Sequence, residues 1–139
     1  MASCGVPADW IRGAALLEAV CDDMRRYLSG EPVDLARHPV DLSPFPPCYR
    51  RALTVARQIP YGEVRTYGWV AARAGRPRAA RAVGQAMSRN TMPLLIPCHR
   101  VVAARGLLGG FGGGLVLKRA LLQLEGLGWD GPACPENGQ

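Results

Sequence analysis

Cys98 stands between Pro97 and His99 in the stretch Ile96-Pro97-Cys98-His99-Arg100-Val101-Val102, a polar centre framed by short apolar runs. The thiolate is the reactive form of cysteine, and a neighbouring histidine or positive potential favours it. Adjacent side chains on a strand point to opposite faces. Cys98 and His99 therefore couple directly only at a bend, or else through a water, and Pro97 gives a reason for a bend. A bare Cys-His pair is more often a buried cysteine beside a surface histidine, so the pair alone decides nothing. Metal binding is the other plain reading. Cys4, Cys21, Cys48 and Cys134 form no C-x-x-C, and His38 lies far from His99 in the chain. Cys4, Cys21 and His38 make at most a partial site, and no metal is expected. Residues 106–114 hold six glycines in nine positions, leaving Leu107, Leu108 and Phe111. Such a loop can approach a ligand closely, but it lacks the pattern of a phosphate-cradling loop.

The surroundings of these residues are strongly basic. Residues 50–119 carry thirteen Lys/Arg, twelve of them Arg, against the single acid Glu63, a balance of +12. Residues 1–49 and 120–139 each balance to −3. A long one-sign segment is the footprint of a polyanion partner, whereas a solubilising surface mixes both signs. The 139 residues predict one domain, and 48% apolar residues suffice for a core. No apolar run reaches the ~18–20 residues of a membrane span. Residues 1–12 lack the basic start and apolar middle of a signal peptide, and five irregularly spaced cysteines do not form a secreted disulfide framework. A reduced, cytoplasmic, DNA-associated protein is expected.

Helices must position the candidates. Leu16, Leu17, Val20, Met24, Tyr27 and Leu28 recur at helical spacing over residues 14–28, and Gly30 and Pro32 end that helix. Residues 31–47, with five prolines, read as an extended connector. A second helix is predicted over 49–58. Thr66 is the expected N-cap of a third, Tyr67–Ala74, which Gly75 terminates. Pro77 is placed to open a fourth, Pro77–Arg89. The third and fourth form a helix-turn-helix. In the fourth, Arg76, Arg78 and Arg81 alternate with Ala79, Ala80, Ala82 and Gly84. Small residues allow close approach and arginines supply phosphate contacts. A close helix-helix contact would explain the alanines and Gly84, but not the arginines. A last helix is predicted over Leu115–Leu124, with Leu117, Leu121 and Leu124 on one face and Glu125 at its end.

Taken in order, IPYGEVRTY (59–67), RAVGQAM (81–87), IPCHRVV (96–102), GLLGGFGGGL (106–115) and KRALLQLEG (118–126) resemble the O6-alkylguanine-DNA alkyltransferases. The similarity runs from about residue 49 to residue 126, more weakly back through the helix at 14–28. The resemblance implies a mainly α, winged-helix-like domain with a few short strands and a helix-turn-helix. It implies that the protein binds the minor groove of duplex DNA, flips O6-alkylguanine into a pocket and keeps the alkyl group on a cysteine. A soft thiolate suits displacement at saturated carbon. No cofactor is implied, and a monomer is expected. Residues 49–126 would be the catalytic and DNA-binding domain, after a short N-terminal helix and connector (1–48) and before a tail (127–139).

The resemblance also implies roles. Cys98 matches the alkyl acceptor, His99 its base through a water, and Glu125 the carboxylate that orients the histidine. Asn90 matches a hinge that braces the turns around the site. Tyr67 matches the tyrosine that pushes the 3′ phosphate and can donate a proton to the base. Arg81 matches the finger that fills the stack vacated by the guanine. Gly68 and Arg76 match backbone contacts, and Ala79, Ala80 and Gly84 the close-approach face. Met87 and Val101 match the apolar walls of the base pocket. The chain departs from the family at Phe111, where tyrosine is common, and at Gly112, where some members carry a hydroxyl. Cys48 falls where a phosphate-contacting threonine can occur, and the first 48 residues are too few for the usual N-terminal domain. Two rivals remain: a lesion-binding module that transfers nothing, and a Cys-His-Glu hydrolase.

Overall fold

A computed structural model describes residues 8–104, 108–109 and 114–127. Its helices are α1 (Ala8–Leu28), α2 (Pro47–Ala56), α3 (Tyr67–Arg73), α4 (Ala80–Ser88) and α5 (Leu115–Leu124). Two strands of two residues each, β1 (Arg65–Thr66) and β2 (Val101–Val102), pair in parallel with Arg65 opposite Val101 and Thr66 opposite Val102. The mainly α class with a helix-turn-helix is as expected.

The core lies among α2, α3, α4 and the chain from Ile96 to Val101. Leu53, Ala56, Val70, Ala71, Ala86 and Ile96 are fully buried in it. Pro47 opens α2 at its first turn, where the missing N–H costs nothing. Thr66 closes β1 and caps α3, its hydroxyl accepting from the Trp69 N–H at 3.0 Å. One residue thus couples the strand pair to the first helix of the helix-turn-helix. Gly75 (φ +87°) takes the left-handed turn that ends α3.

Several boundaries and one buried face differ from expectation: α1 begins at Ala8 rather than residue 14, and α2 spans Pro47–Ala56 rather than 49–58. The fourth helix begins at Ala80, not Pro77: residues 76–79 form a turn closed by the Ala79 N–H on the Arg76 carbonyl at 2.9 Å. Ala79 itself is non-helical (φ −102°, ψ 33°), so Pro77 occupies a corner of that turn and Arg76 and Arg78 precede the helix. On α5 the buried stripe is Lys118, Leu121 and Leu122, while Leu117 is 47% exposed. Apolarity alone passes over a lysine, yet Lys118 takes the inward position because its Nζ finds the Val101 and Leu108 carbonyls at 2.8 and 2.6 Å.

The connector is more than a spacer. Val33 and Leu35 bury with Tyr27 of α1 and Leu121 of α5. The buried Asp23 of α1 meets His38 Nε2 at 2.6 Å and accepts from Arg37. Arg57, at the end of α2, donates to the carbonyls of Ala36 and His38. These bonds seat α1 against the rest of the chain and bring Tyr27 to the end of α5.

Candidate active site

Cys98, His99 and Arg100 make one 3-10 turn after Pro97, and all three are buried. With three residues per turn, successive side chains leave at about 120°, so the strand constraint on the Cys-His pair is lifted. The parallel pairing of β2 with β1 sets this turn beside the start of α3.

Asn90, just beyond α4, reaches the thiol. Its Nδ2 lies 3.2 Å from Cys98 Sγ and 3.0 Å from the Ile96 carbonyl, and its Oδ1 accepts from the Met92 N–H at 2.9 Å. Burial pushes the Cys98 thiol up, and the Asn90 hydrogen bond and the Lys118 charge offset only part of that. At neutral pH the resting sulfur is a thiol and requires a base.

Glu125 caps α5 and gathers donors from three parts of the chain. His99 Nε2 lies 2.6 Å from its Oε2. Arg100 donates from Nε to Oε1 at 2.9 Å and from Nη2 to Oε2 at 3.0 Å. The Gly62 N–H donates to Oε1 at 3.0 Å, and the Tyr27 hydroxyl donates to Oε2. Burial alone would raise this carboxyl, but the hydrogen bonds from His99 and Arg100 outweigh it and hold it at about 2. An ionised carboxylate only accepts, so His99 Nε2 carries the hydrogen. Burial lowers the imidazole below its ordinary value, against the pull of Glu125. The ring is therefore neutral with its lone pair on Nδ1, an atom that is buried and has no hydrogen-bond partner among the described residues. The arrangement supplies a base one residue from the thiol.

Tyr67 opens α3, half-buried against the cluster that contains Cys98, Met87 and Val101. Lys118 Nζ lies 5.7 Å from its ring centroid. Gly109 sits directly against the ring: a Cβ there would fall 2.8 Å from both Cε2 and the hydroxyl oxygen, and φ is +74°. Phe111 and Gly112 lie outside the described residues.

A second group of candidates lies on the helix-turn-helix. Arg81 is exposed in the first turn of α4, Arg76 and Gly68 are exposed, and Ala79 and Ala80 are half-buried. A Cβ on Gly84 would meet nothing within 4 Å. Among the described residues no packing calls for glycine there, which removes the helix-helix explanation at this position. Arg76 and Ala79 also line a cavity of about 130 Å³ with Cys48 and Arg51, between α2 and α4. Among the described residues no cluster could hold a metal, and no helix is long and apolar enough to cross a membrane.

Four residues of the site escaped sequence reasoning. Tyr27 reads only as one apolar position on a helix, and Gly109 as one glycine among six. Arg100 and Lys118 lie inside recognised motifs without a stated role. Their one signal is a cation set among apolar residues, Arg100 before Val101-Val102 and Lys118 after Leu115-Val116-Leu117.

Residues 45–127 match the family described as 6-O-methylguanine DNA methyltransferase, DNA binding domain. A methylated-DNA–protein-cysteine methyltransferase from Methanosarcina acetivorans is 39% identical over 122 residues, covering 87% of this chain and 76% of that protein. One from Methanopyrus kandleri is 46% identical, covering 82% and 84%. Among solved structures, Mycobacterium tuberculosis OGT in complex with DNA is 42% identical with a TM-score of 0.70, over 76% of this chain and 63% of that one. S. pombe Atl1 in complex with damaged DNA containing O6-carboxymethylguanine is 32% identical with a TM-score of 0.53, over 63% and 80%.

Proposed function

The chain belongs to the 6-O-methylguanine-DNA methyltransferase family, and on that footing we propose that it repairs O6-alkylguanine in duplex DNA by moving the alkyl group irreversibly to its own Cys98. The observation that carries the site assignment is the 2.6 Å contact between Glu125 Oε2 and Nε2 of His99, which sets the tautomer of that ring. Its Nε2–H is committed to Glu125, which leaves the Nδ1 lone pair as acceptor for the thiol proton, relayed by a water.

The sulfur then attacks the alkyl carbon as the carbon–O6 bond breaks. The bonding pair goes to the guanine, which regains a proton that Tyr67 can donate and leaves as a neutral base. The thiol proton rests on His99, stabilised by Glu125. The thioether has no route back to a thiol, so one molecule serves one lesion. The basic segment supplies phosphate affinity. Arg81 enters the stack where the guanine left, Gly68 and Arg76 meet the backbone, and Ala79, Ala80 and Gly84 let α4 come close. Met87 and Val101, with Phe111 and Gly112 of the glycine-rich loop, wall the base pocket. Residues 49–126 carry both functions.

Incubation with duplex DNA containing O6-methylguanine, followed by peptide mass analysis, tests this. One CH2 on the Cys98 peptide, at one equivalent per protein, is expected. Binding without mass change would favour a lesion-binding module, and repeated turnover a hydrolase.

A further inference from the structure

The carboxylate that orients His99 has a donor from outside the catalytic segment. Tyr27 of α1 is 0% exposed. Its hydroxyl donates to Glu125 Oε2 and lies 3.3 Å from His99 Nε2. Its ring stands edge-on to Tyr61 (centroids 5.9 Å apart) and to His99 (6.4 Å). A phenol placed only for packing has no need of a carboxylate. Here its single proton goes to the same oxygen that receives the imidazole N–H.

We propose that Tyr27 is a positioning residue for alkyl transfer, holding Glu125 Oε2 so that His99 keeps its Nε2–H tautomer and presents Nδ1 to Cys98. The proposal rests on the transfer reading above. It gives the N-terminal helix a part in the chemistry.

The groups facing His99 are Glu125 and Lys118 from α5, Arg100 from its own turn and Tyr27 from α1, with Tyr61 behind Tyr27. Of these contacts the Tyr27 bond is the one that removal of a single hydroxyl deletes without taking a charged group from the site. A hydrogen bond to a carboxylate withdraws charge from it. Without that bond Glu125 holds the imidazole proton more tightly, and His99 becomes a base only at higher pH.

Single-turnover transfer from methylated duplex DNA, measured from pH 5 to 9, tests this in Tyr27→Phe. The plateau rate is expected to fall roughly tenfold, since hydrogen bonds to charged groups are the stronger class. The acid limb should move to higher pH, with duplex binding unchanged. Site-specific 3,5-difluorotyrosine at position 27 keeps the ring and strengthens the donor, and should move the limb to lower pH even if Tyr27→Phe folds poorly. Tyr61→Phe is the packing control, because that hydroxyl donates to the Leu124 carbonyl and not to the carboxylate. It should leave the limb in place. An unmoved limb in both Tyr27 variants overturns the proposal. If the unaltered protein places no methyl on Cys98, the transfer reading fails instead.

Discussion

Gly109→Ala is the substitution whose cost the structure allows to be worked through. A residue with a Cβ pays roughly 1–2 kcal/mol to adopt left-handed backbone, and Gly109 has φ +74°. The new methyl would lie 2.8 Å from Tyr67 Cε2 and from its hydroxyl oxygen. Carbon contacts settle at about 3.5–4.0 Å, so the ring must retreat by nearly an ångström. The ring is half-buried against the core cluster that holds Met87, Cys98 and Val101, so its retreat disturbs packed side chains. Overpacking of this kind costs about 1–3 kcal/mol. The two contributions together predict a loss of roughly 2–5 kcal/mol, or a melting temperature lower by at least about 6 °C for a domain of this length.

The same displacement should damage function selectively. A misplacement near 1 Å can cost about 100-fold in rate, so single-turnover transfer from duplex DNA should fall by one to two orders of magnitude. Alkylation of Cys98 by a small reagent such as iodoacetamide should change little, since Asn90, His99 and Glu125 are untouched. A double-mutant cycle with Tyr67→Ala separates the two costs. Removing the ring removes the clash but not the backbone strain, so the pair should be less destabilised than the sum, by about 1–3 kcal/mol. Strict additivity would show that the Tyr67 contact carries no energy and refute the reasoning.

Cys98→Ala should abolish transfer yet keep duplex affinity within a few-fold, measured by fluorescence anisotropy, because phosphate contacts carry the binding. Arg81→Ala should slow repair of duplex DNA far more than reaction with free O6-benzylguanine, which needs no extrusion; equal losses would make Arg81 structural. Glu125 has a folded value of about 2 against an ordinary 4.5, a depressed acid whose contribution is present above 4.5 and lost as pH falls toward 2. Chemical denaturation should show about 3 kcal/mol disappearing across that window, and Glu125→Gln should flatten it.

The motifs legible in the sequence are those whose chemistry is local. Thr66 announces a cap because the hydroxyl and the amide it satisfies are three residues apart. Cys98 and His99 stand out as candidates because they are adjacent, although their roles came from the family resemblance, and the 3-10 turn behind Pro97 supplies the bend that direct coupling requires. Glu125 was reached only through resemblance to a family, since 26 residues separate it from His99 and nothing in its spacing says that α5 returns to the PCHR turn. Tyr27 lay further still, 98 residues from its carboxylate, where no periodicity argument extends. The misjudged features share one cause. Lys118 and Leu117 were ranked by apolarity, but the inward position on α5 is set by two carbonyls that a lysine can satisfy and a leucine cannot. Pro77 was ranked by its preference for a first helical turn, but the chain used its fixed φ for the corner before α4. That placement sets Arg76 and Arg78 ahead of the helix, where their charges are free of its first turn and open to a phosphate backbone. A helix begun at Pro77 would have carried Arg78 into its opening turn and left Arg76 at its N-cap, beside the positive end of the helix dipole, where cations are disfavoured.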